Sequence, residues 1–335
     1  MRFRETGLWA DVRGIPDALV TTIEAADGIA EAAELLRGDG VGRVVAIGNG
    51  AAYYVAHALW LASLESAGSG PPIVAVPAGL AVRDAFRWRP GDVMLAVSSS
   101  GEFRDVVAIA ERGAAPPCIA VTASPESTLA RAAIVTVRQH VGAQRAVTHT
   151  QALCGGYACA LALWAAVTGD PELAAVLAGA PAAAAAAVVA AETWADESLE
   201  GHERPAAAIA AGGGAAWAAA LELALMLKEI ARIPAEGVET REGATSAMFG
   251  LTRGHLMVSL DPPGDPASEE AMRLCAAAGA TTLRLPHGAA DGRLAPITTL
   301  PAAAALAATL ALAAGCDVDR PTWTDAYYTT ARSGP

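Results

Sequence analysis

The chain has 335 residues, 53% of them hydrophobic and 17% charged, and a formal net charge of −12. This length accommodates two domains with sizeable cores. The acidic balance argues against a phosphate-neutralising surface for nucleic acid and against binding to anionic membranes.

The N-terminus, "MRFRETGLWADVRGIPDAL", lacks the continuous apolar stretch of a secretory signal. Residues 1–35 are expected to form an N-terminal helical segment, because "IEAADGIAEAAELL" carries the helical period. Short apolar runs follow at 44–47, 73–76, 93–97, 118–121 and 134–137, with helical patterns at 51–66, 102–113, 126–132 and 149–168. Buried strands alternating with helices predict a parallel sheet covered on both faces, in a first domain over 36–170. Residues 171–203 are expected to be a helical linker. The uncharged run 173–191 is long enough to span a bilayer, but it is mostly alanine and Pro181 interrupts it, so a helix between domains is expected and no membrane contact. Residues 204–335, a second domain with a C-terminal tail, offer strands at 207–210, 255–260, 282–285 and 297–299. A cytoplasmic protein is expected, with the five cysteines, an odd number lacking C-x-x-C spacing, as reduced buried thiols.

The chain repeats itself. Gly48-Asn49-Gly50-Ala51-Ala52-Tyr53 matches Gly212-Gly213-Gly214-Ala215-Ala216-Trp217, and "MLAVSSSGE" matches "LMVSLDPPGD" in outline. A duplicated unit of strand–helix repeats follows from this. In parallel sheets ligands sit at the carboxyl ends of strands. Two loops of the first unit are so placed: "GNGAAY", with Gly50 and Ala51, and "SSSGE", with Ser98, Ser99 and Ser100. Each is expected to open a helix, whose N-terminal N–H groups suit an anion. The serines serve either as helix caps or as donors to an anion, and three in a row exceed what a cap needs. The second unit has "LDPPGD" at the corresponding place, with prolines for donors and an extra carboxylate.

With "LMLKEIARIPAEG" and "GCDVDRP" added, these motifs resemble the sugar isomerase (SIS) family, closest to its double-domain members. The resemblance runs from about residue 20 to 325. It implies an α/β fold of two tandem flavodoxin-like (SIS) three-layer α/β/α domains with parallel sheets, related by internal duplication. It implies a sugar phosphate held by Gly50, Ala51, Ser98, Ser99, Ser100 and Thr148. It also implies that Glu229 moves a proton between C1 and C2 of the open-chain sugar. The function implied is an aldose–ketose isomerase or an amino-sugar phosphate deaminase. A non-catalytic sugar-phosphate sensor, or an enzyme on an unphosphorylated sugar derivative, is the alternative.

The family pattern is incomplete. A small hydroxyl residue is replaced by Ala52 and a threonine by Phe103. The family lysines fall on Gln151 and Ala326, a glutamate on Gln144, and the ring-opening histidine on Thr245. His149, in "VTHTQAL", is a candidate acid to replace that histidine. Lys228 is the chain's single lysine and sits beside the base, so a structural pair or a subunit contact suits it better than a nucleophilic role. The loop after Glu229, "PAEGVETREGATSAM", is expected to be a mobile, charged lid carrying Glu242 and Thr245 and reaching a neighbouring subunit, which makes the protein a homodimer. His57 reads as core, His202-Glu203 lacks a second ligand at metal spacing, and His255 opens a strand, so no metal and no other cofactor is expected.

Overall fold

The computed structural model describes residues 2–66, 68–113, 115–199, 201, 203–288 and 291–332. His202 and the last three residues of the tail lie outside the described residues. The strands are β1 (Arg43–Gly48), β2 (Ile73–Pro77), β3 (Asp92–Val97), β4 (Cys118–Thr122), β5 (Val135–Arg138), β6 (Ala208–Gly212), β7 (Ala235–Glu239), β8 (Leu256–Ser259) and β9 (Thr281–Arg284). The helices of the first half are α1 (Gly7–Arg13), α2 (Ile15–Ala25), α3 (Ile29–Leu36), α4 (Ala51–Glu65), α5 (Ala78–Ala81), α6 (Arg104–Ala110), α7 (Thr128–Ala132) and α8 (Thr150–Thr168). Those of the second half are α9 (Pro171–Ala178), α10 (Ala180–Ser198), α11 (Ala215–Glu229), α12 (Thr240–Ala244), α13 (Pro266–Ala277), α14 (Ala295–Thr298), α15 (Leu300–Ala313) and α16 (Thr324–Ala331). Two compact units emerge, and neither is a single run of chain. One holds residues 17–142, 151–179 and the chain from Trp323; the other holds the N-terminal residues through Pro16, 143–150 and 180–322.

The first of these units is built on five parallel strands in the order β2-β1-β3-β4-β5. Every residue of β3 and β4 is buried, as their unbroken apolar runs require of central strands covered on both faces. Val45, Ile47, Met94, Ala96 and Ala120 pack with Val106, Val107 and Ile109 of α6 and Leu129 of α7. α4 packs on β1 and β2. At the amino edge, Arg43 and Asp92 stand opposite each other in register and pair through two hydrogen bonds, Nε–Oδ1 at 2.9 Å and Nη2–Oδ2 at 2.5 Å.

The other unit repeats the plan with four parallel strands in the order β7-β6-β8-β9. The duplication extends to backbone detail. Gly50 and Gly214 each precede the helix that follows the first strand, with φ/ψ of 54°/−134° and 53°/−137°, a region open to glycine. Ile209, Ala211, Val238 and Met257 form one core face with Ala244 of α12 and Ala271 and Cys275 of α13. α11 packs on β6 and β7, and α14 and α15 pack on α11.

Several local expectations are corrected. Residues 297–299 are not a strand: Ile297 and Thr298 belong to α14, and Pro296 and Pro301 occupy first-turn positions of α14 and α15, where a missing N–H costs nothing. The N-terminal segment is three α-helices rather than one. Ala26 and Gly28, with φ of 48° and 78°, separate α2 from α3. The alanine-rich run is two helices, α9 and α10, on either side of Gly179. By length and composition α8 and the stretch Gly292–Ala313 are apolar enough to cross a membrane; both are largely buried inside the protein.

The segment after Glu229 is the largest correction. It is an edge strand, β7, followed by α12, whose Ala244 joins the core. Gly237 is what allows it. A Cβ there would lie 2.6 Å from the Leu221 Cα of α11, closer than atoms approach. Gly237→Ala is expected to cost about 1–3 kcal/mol through overpacking. Urea unfolding should show a lower midpoint at an unchanged slope.

Candidate functional site

The carboxyl edge of the first sheet gathers two of the expected loops, because β1 and β3 are neighbours. Gly48 ends β1 so tightly that a Cβ would lie 2.5 Å from the carbonyl carbon of Ala52, and Gly50 and Ala51 start α4. The serine loop differs from expectation. It does not open a helix directly, since α6 starts only at Arg104 with Phe103 as its cap residue. The serines instead form a self-bonded turn. The Ser98 hydroxyl accepts the Gly101 N–H at 3.2 Å, and the Ser100 hydroxyl accepts the Glu102 N–H at 3.2 Å. The carbonyl of Ser99 accepts the Ala123 N–H and the Thr122 hydroxyl. Gly101 turns the chain with φ of 66°, and a Cβ there would strike the Ser127 hydroxyl.

The serines thus cap N–H groups of their own turn rather than those of a helix. Ser98 and Ser100 cap N–H groups with their lone pairs, and each hydroxyl keeps its own proton to donate. Phe103 does not enter the loop; it packs against the core beside α6. Asn49 donates to Asp105 at 3.4 Å, which places a carboxylate close to the loop, with Arg104 paired to Asp105 at 3.8 Å.

Glu229 is the last residue of α11 in the other unit. Its Oε2 accepts a hydrogen bond from the Thr148 hydroxyl at 3.4 Å. Burial pushes the carboxyl up to about 7, against the pull of the Thr148 bond and of the Lys228 charge. Lys228 itself is exposed.

Thr148 is delivered to Glu229 by a carboxylate far away in sequence. Asp11, 2% exposed, accepts the N–H groups of Arg145 (3.0 and 2.8 Å) and Ala146 (2.9 Å). The Val147 N–H donates to the Asp319 carbonyl, and the Asp319 carboxylate accepts the Gly7 and Leu8 N–H groups at 2.8 Å each. Asp319 belongs to "GCDVDRP", so that motif braces the strap that carries Thr148. His149, next in the chain and partly buried, lies just before α8. Gln151 accepts the Gly142 N–H at 3.1 Å, and Ala326 lies in α16.

Glu242 and Thr245 are not brought to Glu229 within the chain. Glu229 leads into the amino end of β7, whereas Glu242 and Thr245 follow its carboxyl end, so the strand's length of about 15 Å separates them. Both are exposed: Thr245 donates to the carbonyls of Arg241 and Glu242, and Glu242 accepts the Ser246 hydroxyl at 2.7 Å.

Glu222 escaped sequence reasoning, as did Asp11 and Asp319. Glu222 lies seven residues before Glu229 on α11 and is 2% exposed. Its signal was a lone charge in "AAALELALML". Asp261, after β8, fills the second unit's glycine loop. It accepts the Gly213 N–H at 2.6 Å and the Thr240 hydroxyl at 2.5 Å. The second unit thus answers its own loop donors with the extra carboxylate that replaced the serines.

These features define a duplicated parallel α/β protein. Residues 40–168 match the SIS domain family. It is 29% identical over 346 residues, 91% of its own length, to the glutamine–fructose-6-phosphate aminotransferase (isomerizing) of Aeropyrum pernix, and spans about half (54%) of that relative. The same fold is seen in the C-terminal domain of the Francisella tularensis glucosamine-fructose-6-phosphate aminotransferase (TM-score 0.79, 19% identity, 95% of this chain and 98% of that one). It recurs in the tagatose-6-phosphate ketose/aldose isomerase of Escherichia coli (0.74, 18%, 95% and 96%) and in the glucosamine-6-phosphate deaminase of Thermotoga maritima (0.72, 17%, 95% and 98%).

The strap predicts a measurable dependence on Asp11. Asp11→Asn replaces an acceptor with a group that turns an N–H toward other N–H donors. Losing charge-assisted bonds should cost about 1.5–3 kcal/mol. Urea unfolding checks this, with Glu197→Gln, at an exposed position of α10 in the same unit, expected to cost far less.

Proposed function

We propose that the protein is an aldose–ketose isomerase or amino-sugar phosphate deaminase that moves a proton between C1 and C2 with Glu229 as the base. The observation that carries this reading is the carboxyl of Glu229 itself. It is held above the ordinary carboxylate range by burial, and titrates at about 7, where a general base is most effective. In the isomerase reaction its carboxylate takes the proton from C2 of the open-chain aldose. The electron pair left behind forms the C1–C2 double bond while the carbonyl oxygen at C1 takes a proton. The same carboxyl then returns its proton to C1, the O2 proton leaves, and the ketose carbonyl forms at C2. Thr148 fixes the rotamer of the base, and His149 is the proposed acid for ring opening. The serine loop, with Gly50 and Ala51, is proposed to receive the phosphate through hydroxyl protons and free N–H groups.

We further propose a cytoplasmic homodimer. Glu242 and Thr245 stand a strand's length from Glu229 in their own chain, so any part they play in catalysis is in a second copy's site. Sedimentation at micromolar concentration should return twice the monomer mass; a monomer that is fully active would remove this part of the reading.

The reaction is tested by exchange at C2 in heavy water. Wild-type protein with a hexose 6-phosphate should incorporate deuterium, with ammonia release assayed alongside for a 2-amino sugar phosphate. Because the carboxylate form is required, kcat/KM should rise as pH increases through about 7. Glu229→Gln should lower turnover by roughly 10²- to 10⁴-fold, the usual contribution of a positioned base. Exchange at the buffer level, with the sugar phosphate shown to raise Tm, would make the protein a sensor instead.

A further inference from the structure

The face of α11 that ends in Glu229 carries a second carboxyl. Glu222 and Glu229 are seven residues apart, which is within about 20° of two full helical turns, with an axial separation of about 10.5 Å. The two side chains therefore lie in one stripe. Between them, at the same face, stands Met226, which is fully buried.

Glu222 is 2% exposed, and its Oε2 is buried with no hydrogen-bond partner among the described residues. The charged groups of the elements packed on α11 offer it little. β6, α14 and α15 carry none. β7 carries Glu236 and Glu239, both of the wrong sign, and Glu239 is engaged on the Glu242 N–H. Arg293, in the turn Gly292–Leu294 that also packs on α11, donates through Nε and Nη2 to Asp291. On the helix itself, Lys228 is exposed at the far end. The strap that carries Thr148 also bears Arg145 and His149, within three residues of it. An ionised carboxylate in a place like that of Glu222 is strongly disfavoured, so it keeps its proton.

We propose that Glu222 is a positioning residue for Glu229: a carboxylic acid kept neutral inside α11, so that Glu229 is the one negative charge on this face when the base is in its working form. The proposal rests on the proton-transfer reading of Glu229. Burial first, and then the charge of Glu229, push Glu222 up to about 8, above Glu229 at about 7. Between these values Glu229 is ionised while Glu222 is not. Above them a second charge appears beside a reaction that itself builds negative charge on the sugar, and the rate falls. The rising limb of the pH profile then belongs to Glu229 and the falling limb to Glu222.

The test uses Glu222→Gln, which mimics the protonated acid, and Glu222→Leu, which removes the polar group. In kcat/KM for C2 exchange, Glu222→Gln should keep the rising limb near 7 and stay within about threefold of wild type at neutral pH. Its falling limb near 8 should vanish. A falling limb unchanged in Glu222→Gln overturns the proposal. A second readout needs no turnover. A folded-state value raised from 4.5 to about 8 contributes stability that is complete below 4.5 and lost as pH rises to 8. The Tm of either variant should therefore gain on wild type steadily between pH 5 and pH 8 and then run parallel to it. A constant gap across that range in both variants overturns the proposal even if the enzyme is active. A widening gap with no exchange in wild type at any pH leaves Glu222 neutral and buried but removes the base it was to serve, which sinks the proton-transfer reading and the positioning role with it.

Discussion

A carboxyl at the end of an almost wholly apolar helix is the constraint on which this molecule turns. α11 is buried along most of its length, and that burial drives Glu229 to titrate near neutrality. The same burial forces the chain to supply a hydroxyl at Glu229. It does so through a strap whose N–H groups have no strand or helix to satisfy them. Buried N–H groups need acceptors, and Asp11 and Asp319 provide them. The N-terminal turn and the "GCDVDRP" segment are therefore parts of the same apparatus as Glu229, although they lie more than 200 residues from it in one case and about 90 in the other.

The two halves show how one topology carries two different edges. Both sheets place their second strand on one side of the first and the third on the other, and both use a glycine with the same φ and ψ to enter the next helix. At that edge the first half has hydroxyls that cap their own turn and retain protons to donate. The second half has Asp261, which takes up the Gly213 N–H and the Thr240 hydroxyl. An internal carboxylate so held answers the donors that an incoming anion would need, and its charge repels one. The likeness between the halves is thus one of backbone, and the difference is one of charge.

What was legible in the sequence follows from where information is local. β1, β3 and β4 are continuous apolar runs and were readable as such, as were α4 and α8. The glycine repeat was readable because its conformation is set by the residue itself. β7 was not, because "AEGVE" has two glutamates and a glycine in place of β-forming residues. It is an edge strand whose Gly237 answers to contact with α11, a tertiary demand. The stretch 297–299 failed for the opposite reason: a short apolar run fits a strand or a buried helix equally, and the flanking prolines decided for helix. Of the candidate site, Glu229 and Thr148 are pointed to by motif resemblance, and the structure joins them by a hydrogen bond. Asp11 and Asp319 are not, since a carboxylate that caps backbone 134 residues away leaves no mark in its own neighbourhood. Glu222 does leave one, a lone charge in an apolar helix.

Lys228 can now be placed. It is the only lysine in the chain and stands next to Glu229, yet it is exposed while Glu229 is partly buried. Adjacent helix residues point about 100° apart, so the ammonium does not share the face of Glu229. Its pull on the carboxyl is the smallest of the three influences acting there: burial raises Glu229, and the Thr148 bond and then the Lys228 charge lower it. The order matters. A strong ion pair would have fixed Glu229 as a permanent carboxylate, too weak a base for a carbon acid, while burial without any counterweight would have left it protonated at neutral pH, as Glu222 is. A cation held one step away in solvent, on the wrong face for contact, leaves Glu229 between those limits.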